Sequence, residues 1–267
     1  MRLTVQHTTS YRYDAPRARV VQSHRLTPAP SQGQRIHSWQ VACDGANFGA
    51  GFTDGAGDLV TTMTMPRPVD AMDITVTGVV DTTDTSGVLR GHPERIAPDV
   101  YLRKTRTTAP GLALSRLAER LGAAGNTLDA AHEMAQLIAE AIAYTPGATH
   151  AGMTALEAIE LGKGVCQDQA QALIALARMR GMPARYVTGY LFATAEVEAG
   201  EASHAWAELY IADLGWVGFD AANHCCPDER YIRLGSGMDA LDAAPIRGIS
   251  LGAGHESMDI SVNVAQQ

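Results

Sequence analysis

The chain has 267 residues, enough for one large domain or two modest ones, and 46% of them are hydrophobic, which excludes global disorder. Its formal charge of −8 argues against nucleic acid or an anionic membrane as a partner, because phosphates and acidic lipids repel such a surface. Four cysteines do not make a disulfide framework in a chain of this size, no apolar run nears the ~20 residues that span a bilayer, and Met1-Arg2-Leu3-Thr4-Val5-Gln6-His7 alternates at once instead of building a secretory signal, so a cytoplasmic location is expected.

Residues 1–90 read as short alternating runs broken by turn residues. Strands are expected over 3–7, 35–41, 59–65 and 72–80, with turn chemistry at Pro28-Ala29-Pro30, Asp44-Gly45 and Asp54-Gly55-Ala56-Gly57 between them. An N-terminal antiparallel β-sandwich-like domain is the expectation for residues 1–90. After Gly91-His92-Pro93 the code changes. Residues 111–121 and 128–144 are rich in Ala, Leu, Ile and Glu with helical periodicity. In the second run Ala131, Met134, Ala135, Ile138 and Ile142 share one face. Thr154-Ala155-Leu156-Glu157 reads as a capping box opening a short helix that stops near Leu161-Gly162.

Gly164-Val165-Cys166-Gln167-Asp168 then leads into an Ala/Leu-rich run that ends at Gly181-Met182-Pro183, a glycine stop followed by proline. This places Cys166 in the first turn of a helix, where unpaired N–H groups and the positive end of the helix dipole favour thiolate over thiol. A free cysteine has a pKa of about 8.5, and sites of this kind lower it to roughly 3.5–7.5. A lone cysteine is more often a small buried hydrophobe. The flexible lead-in and the polar Gln167 and Asp168 are poor core material and favour a nucleophile.

From residue 184 onward strands are expected over 185–191, 203–211, 215–220 and 260–264, which makes the region after residue 90 a helix layer on an antiparallel sheet, an α+β arrangement. His204, Trp206 and Glu208 fall on one face of their strand; Ser203, Ala205, Ala207 and Leu209 fall on the other, the face suited to helix packing. Asp220 ends the next strand of a hairpin expected through Asp213-Leu214-Gly215. It shares the face of His204 only if the loop is odd in length or a bulge corrects the register. Then Asp220 accepts from one ring nitrogen and the other nitrogen faces the thiol.

Together, Gly-Val-Cys-Gln-Asp, Ser-His-Ala-Trp-Ala-Glu-Leu-Tyr and Gly-Trp-Val-Gly-Phe-Asp resemble the core of the bacterial transglutaminase-like superfamily, in its branch of candidate cysteine proteases. Residues 183–191 and 244–248 extend the likeness. Tyr11-Arg12-Tyr13 and Leu26-Thr27-Pro28 resemble the β-domain that precedes that core. The resemblance implies a papain-like core over 91–267 with a Cys166, His204, Asp220 triad, acting on a peptide or protein substrate without a cofactor. Gln169 departs from an aromatic residue common in the family, and Ala221-Ala222 from a Pro-Thr.

The chemistry expected is acyl transfer through a thioester, most simply hydrolysis, with transamidation or a non-catalytic interaction module as the alternatives. The Cys166 N–H is one candidate oxyanion donor, and Gln167 and Trp206 are candidates for the second. His224-Cys225-Cys226 offers soft ligands but no C-x-x-C spacing, and no calcium-loop pattern occurs, so no metal is expected. Glu196, Glu198 and Glu201 form an acidic stretch ahead of His204 that reads as solvated loop.

Overall fold

A computed structural model describes residues 1–122, 125, 127–192 and 203–267. The N-terminal half is built of β1 (Arg2–Arg17), β2 (Arg19–Thr27), β3 (Gln34–Cys43), the two-residue strands β4 (Asn47–Phe48) and β5 (Phe52–Thr53), β6 (Leu59–Met65) and β7 (Val69–Thr82). Then follow α1 (Leu112–Ala118), α2 (Leu128–Ala141), β8 (Ala143–Tyr144), α3 (Ala155–Leu161), β9 (Lys163–Gly164) and α4 (Cys166–Met179). The chain closes with β10 (Ala184–Leu191), β11 (Ser203–Ile211), β12 (Gly215–Phe219), β13 (Tyr231–Gly237), β14 (Ile246–Leu251) and β15 (Glu256–Gln266). The α+β class expected from the pattern is the one observed.

The helices begin and end on local signals. In α3 the Glu157 N–H donates to Thr154 Oγ1 at 3.2 Å and the Thr154 N–H to Glu157 Oε2 at 2.8 Å, the reciprocal box the sequence announces. Gly162 stops it at φ 66°, a left-handed conformation that costs glycine nothing. α2 ends three residues short of the expected 144. Ala143 and Tyr144 instead pair in parallel with Lys163 and Gly164, because a backbone partner just ahead of α4 outweighs helix propensity there. α4 is buried all round from Asp168 to Arg178, the mark of a central helix.

Sheet order β12-β11-β10-β13 forms an antiparallel platform. Ala205, Ala207 and Leu209 face α4 and join one core cluster with Leu173, Ile174 and Leu176, as the small-residue face of β11 predicts. Two further sheets, β15-β1-β7-β3 and β14-β2-β6-β4, make the β-sandwich. The expected division at residue 90 needs correction here. β15 pairs with β1 from Leu3↔Gln266 to Tyr13↔Glu256, and β14 pairs with β2 from Ile246↔His24 to Leu251↔Arg19. Alternation announces a strand in either sheet. Which edge takes it depends on the free edges of β1 and β2, set far away in the chain.

β1 is the longest strand and one inward row does two jobs. Leu3 and Val5, with Val80, Val262 and Val264, pack on Tyr190, Ile232 and Leu234 of the platform. Tyr11 and Tyr13, eight residues along, pack with Met63, Met65 and Ile74 between the two sandwich sheets. Gln34 stitches the same seam, exchanging hydrogen bonds with the Arg233 backbone at 2.9 and 3.0 Å.

Candidate active site

The loop ahead of α4 is held by one carboxylate. Asp168 Oδ2 accepts from the Val165 N–H at 2.9 Å and from the Thr149 hydroxyl at 2.7 Å. A side chain at residue 164 would begin 2.8 Å from Asp168 Cβ, so glycine is required for this close approach. Cys166 therefore opens α4, 5% exposed. The Asp168 and Gln169 N–H groups return to the Val165 carbonyl at 3.0 and 3.1 Å, so the helical ladder starts after Cys166 and Gln167. The Cys166 thiol donates to Gln167 Oε1 at 3.2 Å. Gln169 is buried and donates to the Ile142 carbonyl at 2.7 Å, tying the first turn of α4 to the end of α2. This is what a polar residue does at a position the family often fills with an aromatic ring.

His204 is the second residue of β11, and its Nε2 lies 2.6 Å from Asp220 Oδ2. The parity condition is met. Ile211 pairs with Gly215 across a three-residue loop with Asp213 at φ 68°, and Ala207 pairs with Phe219, so His204 and Asp220 project to one face. Burial by itself lowers the proton affinity of the imidazole, but hydrogen bonds to Asp220 and Cys166 outweigh it and raise the pKa well above the ordinary histidine value. Nε2 is engaged by Asp220, which leaves Nδ1 as the nitrogen for Cys166.

Asp220 is held more firmly than the sequence suggests. Its Oδ1 accepts from the N–H groups of Ala222 and Asn223 at 3.0 and 3.2 Å, and its Oδ2 accepts from the Tyr231 hydroxyl and the Asn223 amide, both at 2.7 Å. Burial pushes its pKa up, and the bonds from His204, Asn223 and Tyr231 overcome that and lower it. Asn223 had a signal in the sequence, since Asp-Ala-Ala-Asn can close an Asx turn. Tyr231 had none, because it reaches Asp220 from another strand.

Of the two side chains expected as second oxyanion donors, Gln167 is exposed and lines the cleft beside His204. Trp206 does not line that cleft. It is 3% exposed, stacks on the His204 ring at 6.4 Å between centroids and meets Tyr231 edge-on. A strand face that points toward the β-sandwich carries it behind the imidazole, where it fixes the ring plane.

The cleft encloses about 460 Å³ between α4, the platform and β1. Two steps along the face of His204, Glu208 enters a second buried ionic group. Its carboxylate takes Arg185 at 2.6 Å and Arg233 at 2.9 Å, and Arg233 also reaches Asp58 of the β-sandwich at 2.6 Å. Cys225 and Cys226 are half-buried, and burial raises both thiols, Cys226 to about 11. Among the described residues no set of three or more His, Cys, Asp or Glu is placed to hold a metal ion. The acidic stretch with Glu196, Glu198 and Glu201 lies outside the described residues.

Comparison with known proteins bears on the fold and on the family of the two halves of the chain. A candidate cysteine protease from Cytophaga hutchinsonii shares the fold with a TM-score of 0.78, covering 99% of this chain and 90% of that one at 21% identity. Uncharacterized proteins of Mycobacterium leprae and Mycobacterium tuberculosis are each 28% identical, over 99% and 98% of this chain and 99% and 92% of their own. Residues 115–221 match the transglutaminase-like superfamily and residues 3–81 the bacterial transglutaminase-like N-terminal region. By these matches the chain carries a transglutaminase-like core preceded by the bacterial transglutaminase-like N-terminal region.

Proposed function

We propose that this protein is a thiol-dependent acyl-transfer enzyme that hydrolyses peptide or carboxamide bonds through Cys166, His204 and Asp220. The observation that carries the reading is the buried His204 ring, held at Nε2 by Asp220 at 2.6 Å, with Asp220 and the Cys166 sulfur together raising its proton affinity against the cost of burial. His204, biased toward imidazolium, takes the thiol proton, and the sulfur attacks the carbonyl carbon to form a tetrahedral adduct. The Cys166 N–H, ahead of the helical ladder, supports the oxyanion, with the Gln167 amide as second donor. His204 then protonates the leaving amine, and water, deprotonated by the same imidazole, resolves the thioester. Water needs no dedicated site, which favours hydrolysis over transfer to an amine.

A peptide or protein is the substrate proposed, and the cytoplasm is the compartment. Cys43, Cys166, Cys225 and Cys226 are all unpaired, which suits reducing surroundings. Among the described residues no helix is long and apolar enough to cross a membrane.

The test is a fluorogenic peptide library assayed with and without a primary-amine donor, comparing wild type with Cys166→Ala. Loss of all turnover in the variant with unchanged circular dichroism supports the reading, and product without incorporated amine supports hydrolysis. Iodoacetamide alkylating Cys43 or Cys225 at pH 6–7 while Cys166 stays inert would sink it.

A further inference from the structure

Apart from the His204 imidazole, which Asp220 already engages, the cleft beside the nucleophile carries few charged side chains for a chain of 50 formally charged residues. Among the described residues that line it there is no Lys or Arg, and Asp168 is the one carboxylate. That carboxylate is 4% exposed and already accepts from Val165 and Thr149. The greater part of the wall is apolar, with Met153, Tyr186, Leu234, Leu241 and Pro245, and polar residues such as Thr149, Gln167, Gln171 and Thr188 stand among them. Its volume falls in the range of pockets that enclose small ligands.

One wall comes from the β-sandwich. The inward row of β1 that seats Leu3 and Val5 on the platform continues to His7, which reaches the cleft. Its Nδ1 lies 2.8 Å from the Tyr190 hydroxyl and its Nε2 2.9 Å from Thr9 Oγ1, so both ring nitrogens have neutral partners. Burial lowers its pKa to about 4, which leaves the ring uncharged at neutral pH. Ala240, Leu241 and Pro245 belong to the segment that carries the chain from β13 back to β14 of the sandwich.

We propose that this cleft is a subsite for an uncharged, apolar side chain of the substrate next to the attacked carbonyl, walled jointly by the catalytic platform and by the N-terminal β-sheet through His7. The inference rests on Cys166 as nucleophile. An apolar side chain gains by leaving water for these walls. A Lys, Arg, Asp or Glu side chain would be desolvated with no free counter-charge among them. The N-terminal region is then part of the substrate site as well as packing support.

Peptidyl acyloxymethyl ketones carrying Leu, Phe, Glu or Lys beside the warhead test this on the full chain, with the adduct at Cys166 read by mass spectrometry. Iodoacetamide serves as the control for the thiol itself. The Leu and Phe probes are expected to react at least ten-fold faster than the Glu and Lys probes. Leu241→Lys, at a side chain 52% exposed and therefore tolerant, is expected to raise the Glu-to-Leu rate ratio at least five-fold, each rate being divided by that variant's own iodoacetamide rate. Equal rates for all four probes, or a preference for a charged one, overturn the subsite, as does an unchanged ratio in Leu241→Lys. Iodoacetamide reacting at Cys166 while every peptidyl probe fails overturns the subsite and leaves the nucleophile standing. Failure of both reagents at Cys166 removes the nucleophile and the subsite together.

Discussion

His204 and Glu208 sit on the same face of β11, with Trp206 between them, and both are buried in ionic contacts. They differ in what happens to the proton. At His204 the cation is an imidazolium that loses its charge when it gives a proton away, and its surroundings open onto a cleft. At Glu208 the cations are Arg185 and Arg233, which hold their protons under all ordinary conditions, and the group is closed: Arg185 and Glu208 are 0% and 3% exposed. Burial opposes the Glu208 charge, yet Arg233 and Arg185 lower its pKa to about 2. The same strand thus carries one pair whose cation can give up its proton beside a cleft and one locked in place, and the second ties the platform to the β-sandwich through Asp58.

The largest effects should separate these roles. Asp220→Asn removes the acceptor that orients His204, so turnover is expected to fall by roughly 10²–10⁴-fold with a small change in melting temperature. Kinetics at fixed pH beside a melting curve checks this, and a variant of near-normal rate would break the contrast. Glu208→Ala should do the reverse. It leaves two buried guanidinium groups short of a partner, at a cost of about 3–5 kcal/mol, seen as a drop in melting temperature on the order of 10 °C. Activity per folded molecule should persist well below the new midpoint.

Acid stability sharpens the comparison further. His7, His24 and His92 are each held near pKa 4 by burial, below their ordinary 6.5. A lowered base is neutral when folded and binds protons more readily when unfolded. Its contribution is present above pH 6.5 and is lost as the pH falls toward 4, at most roughly 3 kcal/mol for each histidine. His204 has the opposite sign: its contribution is full below 6.5 and is lost as the pH rises through its elevated value. Urea unfolding at pH 7, 5.5 and 4 should show stability falling on the acid side, with a shallower fall in His24→Gln. A flat profile would contradict the burial argument. The smallest effect expected is Tyr231→Phe. It deletes one of the bonds to Asp220 while Asn223 keeps its own, so a loss of about 1 kcal/mol and a several-fold drop in rate are expected. A pH–rate profile unmoved from wild type would assign Tyr231 to packing alone.

Much of the site was legible before the coordinates because its signals are local. The glycine lead-in, the N3 carboxylate and the glycine stop of α4 all act within a few residues of the element they punctuate. The parity of a three-residue loop decides whether Asp220 faces His204. Gln169 was visible as a departure but not as the tie to Ile142, because its partner lies on another helix. Trp206 was assigned the correct face of β11, yet what that face meets is set by the β-sandwich.

Sequence alone determined the helices, the strands with strong alternation (β2, β13 and β14 were not among them), the place of Cys166 at the start of its helix, and which side chains share a strand face. Periodicity and capping are properties of neighbouring residues, and a single chain reports them directly. Tertiary structure decided the rest: that β14 and β15 return to the N-terminal sheets, that Tyr231 and Asn223 brace Asp220, and that His7 walls the cleft. Those contacts join residues up to 263 positions apart, as in Leu3↔Gln266, and depend on which edges and cavities the other elements leave free. An alternating run carries no record of its partner, since the backbone bonds of a strand are the same in every sheet it could join.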